Sequence, residues 1–260
     1  MMKFSDINIT NNILFFMSMC LLSSAALGET TYGLGLAVGT QDVTWADQQS
    51  STKSRSALKL TYYINGKSVY SVFDFQTGDL SASADDTWTP YSSITPSKSS
   101  PAGYGKLNLI VGRRFENNFS IFGGYHLQVI NAHYDDPADT SQNIEHSTAG
   151  FLYGATYNLP ISLGSYNTSL GFSLSQSSFM QAQYRSDPNS MSTSSSYLGY
   201  GIKWVFPVND MFTLDLNYIK TKTEADFGGS TIDSFTSGPI KINNVTVESS
   251  MLTVQGTVVF

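Results

Sequence analysis

The chain has 260 residues, 41% of them hydrophobic and only 13% charged, with a formal net charge of −6 at pH 7. That balance suits one large domain and excludes a nucleic-acid-binding surface: releasing counterions from phosphates takes clustered Lys and Arg, and apart from Arg113-Arg114 the 14 basic residues are scattered singly. Tyr 15, Phe 16 and Gly 21, with abundant Ser and Thr, lean toward strands and turns rather than helices.

The first feature in chain order is the apolar run 13-ILFFMSMCLL-22, followed by small residues from Ser23 to Gly28. Such a run is far shorter than the roughly 20 residues a membrane-spanning helix needs, so 1–28 reads as a signal peptide, cut after Gly28. The positive region is weak, with Lys3 beside Asp6. Cys20, the one cysteine, leaves with the leader, so the mature chain (29–260) cannot rest on disulfides.

From Thr31 onward the chain alternates apolar and polar residues, with no sustained helical period. The alternation predicts ten strands, at 31–39, 54–64, 67–76, 104–114, 119–130, 147–158, 167–176, 197–206, 211–221 and 247–260. Connections alternate in length. Asn65-Gly66 predicts a two-residue hairpin, Glu116-Asn117-Asn118 a tight turn, and 158–166 and 207–210 compact ones. Between these lie long polar stretches at 40–53, 77–103, 131–146, 177–196 and 222–246, read as loops, whose summed charge is more negative than that of the whole chain.

Parity then assigns two faces. Leu34, Leu36 and Val38, Leu58 and Leu60, Phe151 and Tyr153, Leu170 and Phe172, and Leu214, Leu216 and Tyr218 lie on an apolar one. Gly33, Gly35, Lys59, Asp74, Lys106, His126, Ser173, Lys203, Asp215, Thr253 and Gln255 lie on the other. Three features turn the apolar face outward, toward lipid. Gly and Ser on the polar face suit a crowded narrow lumen; an even strand count lets a spanning sheet close; and aromatics gather at strand ends as two girdles. These are Phe119, Tyr157, Phe206, Phe212 and Phe260 at the short-turn end, and Phe75, Phe151, Phe179 and Tyr197 toward the long stretches.

Together the leader, the ten amphipathic strands and the ending 251-MLTVQGTVVF-260 resemble a Gram-negative outer-membrane β-barrel protein. The expected fold is all-β, a closed antiparallel up-and-down transmembrane barrel. The resemblance implies export to the outer membrane, contact with outer-membrane lipid and recognition by the barrel-assembly machinery. In that class the last strand carries the assembly signal, here Leu252, Val254, Val258 and Phe260; Gly256 departs from the pattern, which prefers an apolar side chain. Long external loops imply a structural or adhesin-like surface role toward an extracellular ligand or host surface. A narrow channel for small or cationic solutes is the alternative, and a membrane-embedded hydrolase the third reading.

Ten strands is also the count of the omptin proteases, but their Asp-x-His pair is missing: the chain reads 131-NAH-133 and 144-IEH-146. A His-x-Ser pair, as in barrel lipid hydrolases, is missing too, because His126 is followed by Gln128 and His146 by Thr148. No catalytic residue and no cofactor is therefore assigned. Asp135, Asp136, Asp139 and Glu145 would form at most a weak cation site, since the regular spacing and fixed glycine of a calcium loop are lacking. Inside the barrel, Lys59, Asp74, Lys106, His126, Lys203 and Asp215 are expected to form a polar network, either a salt-bridged plug or a charged constriction. Ten strands leave little free width, which favours the plug.

Overall fold

The computed structural model describes residues 29–45, 49–81, 99–100, 102–135, 141–164, 166–186, 189–232 and 240–259. The leader, Asp136, Asp139 and Phe260 lie outside them. The strands are β1 (Glu29–Trp45), β2 (Gln49–Asn65), β3 (Val69–Ser81), β4 (Ser99–Ser100), β5 (Ala102–Arg114), β6 (Phe119–Asp135), β7 (Ser141–Leu163), β8 (Tyr166–Ser186), β9 (Asn189–Asn209), β10 (Phe212–Ile232) and β11 (Ile240–Val259). The two residues of β4 pair with His133 and Tyr134 at the upper end of β6. The other ten form a closed antiparallel barrel, each pairing with the next and β11 returning to β1 through Leu36↔Val254. Through the belt each described strand pairs on both sides, as a hydrocarbon environment requires.

The outer surface carries the apolar face. Leu34, Leu36, Val38, Leu58, Phe172, Leu174, Leu198, Ile202, Leu252 and Val254 are all exposed, Leu36 by 66%. On β9 the belt runs from Leu198 to Phe206, roughly 20 Å at ~3.3 Å per residue and a tilt of ~40°. Gly256 interrupts it for a visible reason: a Cβ there would lie 3.0 Å from the Phe212 ring, which already covers the site. An aromatic ring over a strand glycine restores the missing packing. Trp204 stacks on Phe206 with ring centroids 4.6 Å apart, reinforcing the lower girdle. Tyr197 is a correction to the upper girdle. It is buried inside the lumen against Leu152 and Met180, because it shares parity with Gly199 and Lys203.

The strands also run well past their predicted ends. Most of 177–196 is strand, β8 continuing to Ser186 and β9 starting at Asn189; likewise β10 reaches Ile232 and β1 reaches Trp45. Above the belt the outward positions turn polar (Lys220, Lys222, Glu224, Glu248), so hydropathy alternation fades although the ladder continues. A bulge between Ser177 and Met180 hides the upper part of β8 further, by switching its inward parity from odd to even.

At the short-turn end the Asn65 hairpin is wider than predicted. Asn65 still pairs with Tyr70, and the Gly66 N–H donates to Val69 O at 2.8 Å. The Asn65 side chain is engaged with neighbouring strands instead, donating to Thr31 Oγ1 at 3.1 Å and accepting from Arg114 at 2.6 Å. The 158–166 connection is tighter than predicted. β7 and β8 extend beyond the barrel floor as a two-stranded arm, turning at Gly164 with φ 63°.

Candidate functional site in the barrel lumen

The lumen has three levels. At mid-height one hydrogen-bonded chain follows the wall across seven strands. It starts on β6, where His126 Nδ1 lies 2.6 Å from Asn108 Oδ1; an amide oxygen only accepts, so that nitrogen carries the proton. Asn108 Nδ2 donates to Asp74 Oδ2 at 3.3 Å, and Asp74 Oδ1 lies 3.4 Å from Lys59 Nζ. The single Thr61 hydroxyl proton faces two acceptors, Asp74 Oδ1 at 3.3 Å and Gln255 Oε1 at 3.1 Å. Gln255 Nε2 then donates to Thr257 Oγ1, which donates to Asp215 Oδ2 at 3.3 Å. Asp215 ends the chain against Lys203 Nζ at 2.8 Å. The sequence placed Lys59 with Asp74 and Lys203 with Asp215. It did not show that Thr61, Gln255 and Thr257 join the pairs, because hydroxyls and amides alternate everywhere in this chain. Lys106 faces the same level from β5, also buried.

Gly33 and Gly35 make the chain possible. A Cβ on Gly33 would overlap the Gln255 amide at 2.0 Å, so the amide occupies the space of a side chain. His126 is fully buried, with its ring centroid 4.9 Å from that of Tyr197 and its Nε2 without a hydrogen-bond partner among the described residues. Its bonded partner is an amide, not a hydroxyl.

Above this level, toward the long connections, the interior is apolar. Tyr104, Ile130, Ala182, Tyr184, Ala225, Phe227, Val245 and Val247 pack as one buried cluster with Met191 against it. His146 belongs to this level, opposite Ile130 and Tyr184 in the register, and is buried. Sequence reasoning missed the layer. Ala182, Tyr184, Ala225, Phe227 and Val245 sit in stretches read as loops, Tyr104, Ile130 and Val247 at the very ends of predicted strands, and the β8 bulge had moved Tyr184 off the expected parity. Glu145 points outward above the belt, with Arg185 opposite it on β8. Partial burial raises its carboxyl above the usual range, and the Arg185 charge pulls it back. The other carboxylates of the expected cation site have no described side chains, and no metal-binding cluster occurs among the described residues.

Below mid-height the lumen is open. A cavity of about 560 Å³ reaches from the Lys59 and Lys106 level to the short-turn mouth at Asn65, Arg114 and Asn158. Its existence corrects the expectation of a lumen crowded throughout by Gly and Ser. On β8 and β9 the inward Gly171, Ser173, Ser175 and Gly199 leave room instead.

No family model and no curated protein matches the sequence. Among solved structures, the barrel is similar to the outer membrane protease OmpT from Escherichia coli, with a TM-score of 0.54 and 8% identity, over 89% of this chain and 97% of that one. The translocator domain of autotransporter NalP from Neisseria meningitidis aligns with a TM-score of 0.45 and 9% identity, over 96% and 97%. Ail, the attachment invasion locus protein of Yersinia pestis, aligns with a TM-score of 0.35 and 12% identity, over 90% and 99%. At 8% identity the likeness to OmpT is one of fold. The closed ten-stranded barrel with its apolar belt is a barrel of the outer-membrane type.

Proposed function

We propose that the protein is a non-conducting, non-catalytic outer-membrane barrel whose working surface is the strand wall and acidic connections above the lipid belt, offered to an extracellular ligand or host surface. The apolar layer from Tyr104 to Val247 carries this reading, because it crosses the lumen where a solute path would have to pass. Water-filled pores are lined by polar groups, and a dry apolar constriction is a barrier to ions. The non-catalytic part rests on the two histidines whose side chains are described: His126 and His146 are both buried, one bonded to an amide and the other within the apolar layer. Neither meets bulk water or the upper rim, where an external substrate would arrive. Above the belt, Lys220, Lys222, Glu224 and Glu248 form an exposed charged ladder, with Lys222 2.6 Å from Glu224 and 3.8 Å from Glu248.

Planar-bilayer recording of the purified, refolded protein tests the closed lumen. The expected record has no unitary conductance steps in molar KCl. Steady single-channel steps would overturn the reading and turn it toward a narrow channel.

A further inference from the structure

We propose that the cavity at the short-turn end is a binding site for a small organic anion with an apolar body, such as an aryl carboxylate. The cavity is two-sided. Val72, Ile110, Phe122 and Leu152, on β3, β5, β6 and β7, give it an apolar wall, and all four share the inward parity of Asp74, Asn108, His126 and Gly150. Leu152 is buried, but Val72, Ile110 and Phe122 are only half-buried, and apolar surface left facing an open cavity forgoes the free energy of burial. An occupant with an apolar face would recover it.

The charged groups define the other end of that occupant. Four cationic side chains, Lys59, Lys106, Arg114 and Lys203, line the cavity against two carboxylates, Asp74 and Asp215. Four cations against two carboxylates give the lining as a whole an excess of positive charge, with Lys59 and Lys203 each within ion-pair distance of one of the two. A bound cation would add to that excess; a bound anion reduces it, and low-dielectric walls strengthen the preference. At about 560 Å³ the cavity falls within the range of small-molecule pockets. Because its upper end is closed by Leu152, Tyr197 and the layer above, the ligand enters and leaves through the short-turn mouth.

The test is isothermal titration calorimetry of the refolded protein in non-ionic detergent micelles, with a micelle-only blank. The probes are 2-naphthoate, 2-naphthylmethanol and 2-naphthylmethylammonium. The expected order is naphthoate at least tenfold tighter than the alcohol and the ammonium weakest. Ser173→Phe fills the cavity from β8 and is expected to abolish binding. Lys106→Gln is expected to remove most of the advantage of naphthoate over the alcohol. Equal binding of naphthoate and the alcohol overturns the proposal, as does no binding of any probe at millimolar concentration. So does unchanged naphthoate binding by Ser173→Phe, which would place the probe on the outer belt. Should that variant fail to fold, Lys106→Gln decides alone, an unchanged anion preference overturning the proposal.

Discussion

Breaking the Lys203–Asp215 pair from either side should give unequal costs. Asp215 is 4% exposed at the side chain and Lys203 34%. Lys203→Met therefore strands a buried carboxylate with the hydroxyls of Thr213, at 3.1 Å, and Thr257, at 3.3 Å, to solvate it. Losing one member of a buried pair costs about 3–5 kcal/mol. Asp215→Asn leaves an ammonium open to cavity water, lying 5.2 Å from the Tyr63 ring centroid. Solvent screening of a partly exposed charge reduces the cost to about 1–2 kcal/mol. The double variant should cost less than the sum by at least ~1 kcal/mol, because the orphaned partner is gone. Urea unfolding of protein refolded in lipid vesicles, followed by tryptophan fluorescence, measures all three. If Asp215→Asn proves the costlier single change, or the two costs simply add, the lumen at Lys203 is not as asymmetrically hydrated as the structure shows.

Three further outcomes are expected. With Trp45 and Trp88 replaced by Phe, Trp204 should emit at short wavelength and be quenched by brominated lipid; emission typical of water would refute an outward apolar belt. Gly124→Ala would bring a Cβ to 2.1 Å from Leu109 O and 2.9 Å from Ile110 Cα. Both are backbone atoms, so β5 and β6 must part, at about 1–3 kcal/mol in the same unfolding assay. Lys222→Ala, on the exposed ladder, should change stability by less than about 0.5 kcal/mol; a larger loss would mean that the ladder is buried by something else.

The sequence made the membrane part of the barrel legible because lipid outside and polar lumen inside impose opposite preferences on successive residues. Leu34 to Val38 and Leu252 to Val258 could hardly be read another way. It failed where one of those two solvents changed. Above the belt water replaces lipid outside, so Lys220, Lys222 and Glu224 broke the pattern although the strand went on. Inside the same region an apolar cluster replaces the polar lumen, so Tyr184 and Phe227 look out of place to a parity rule written for a polar lumen. The ion pairs were legible because charge is rare in this chain, while the links between them, Thr61 and Thr257, were invisible among so many hydroxyls.

The interior is organised by side-chain size as much as by polarity. A ten-stranded barrel has a nearly fixed bore, and what fills or empties each level is the volume its strands turn inward. At the upper level Tyr104, Ile130, Tyr184 and Phe227 come from β5, β6, β8 and β10, so bulk arrives from around much of the ring and the lumen closes. At the lower level bulk comes from Val72, Ile110, Phe122 and Leu152, while β8 and β9 contribute Gly171, Ser173 and Gly199. The space is therefore off-centre, against the β8–β9 wall and facing the apolar one. A reciprocal exchange separates the two levels: Tyr184→Ser should loosen the upper closure and leave the cavity intact, whereas Ser173→Phe should fill the cavity and leave the closure intact. Conductance should respond only to the first, and 2-naphthoate binding only to the second. If either variant moved both readouts, closure and cavity would be one continuous space, and the barrel would be a gated passage instead of a sealed cup.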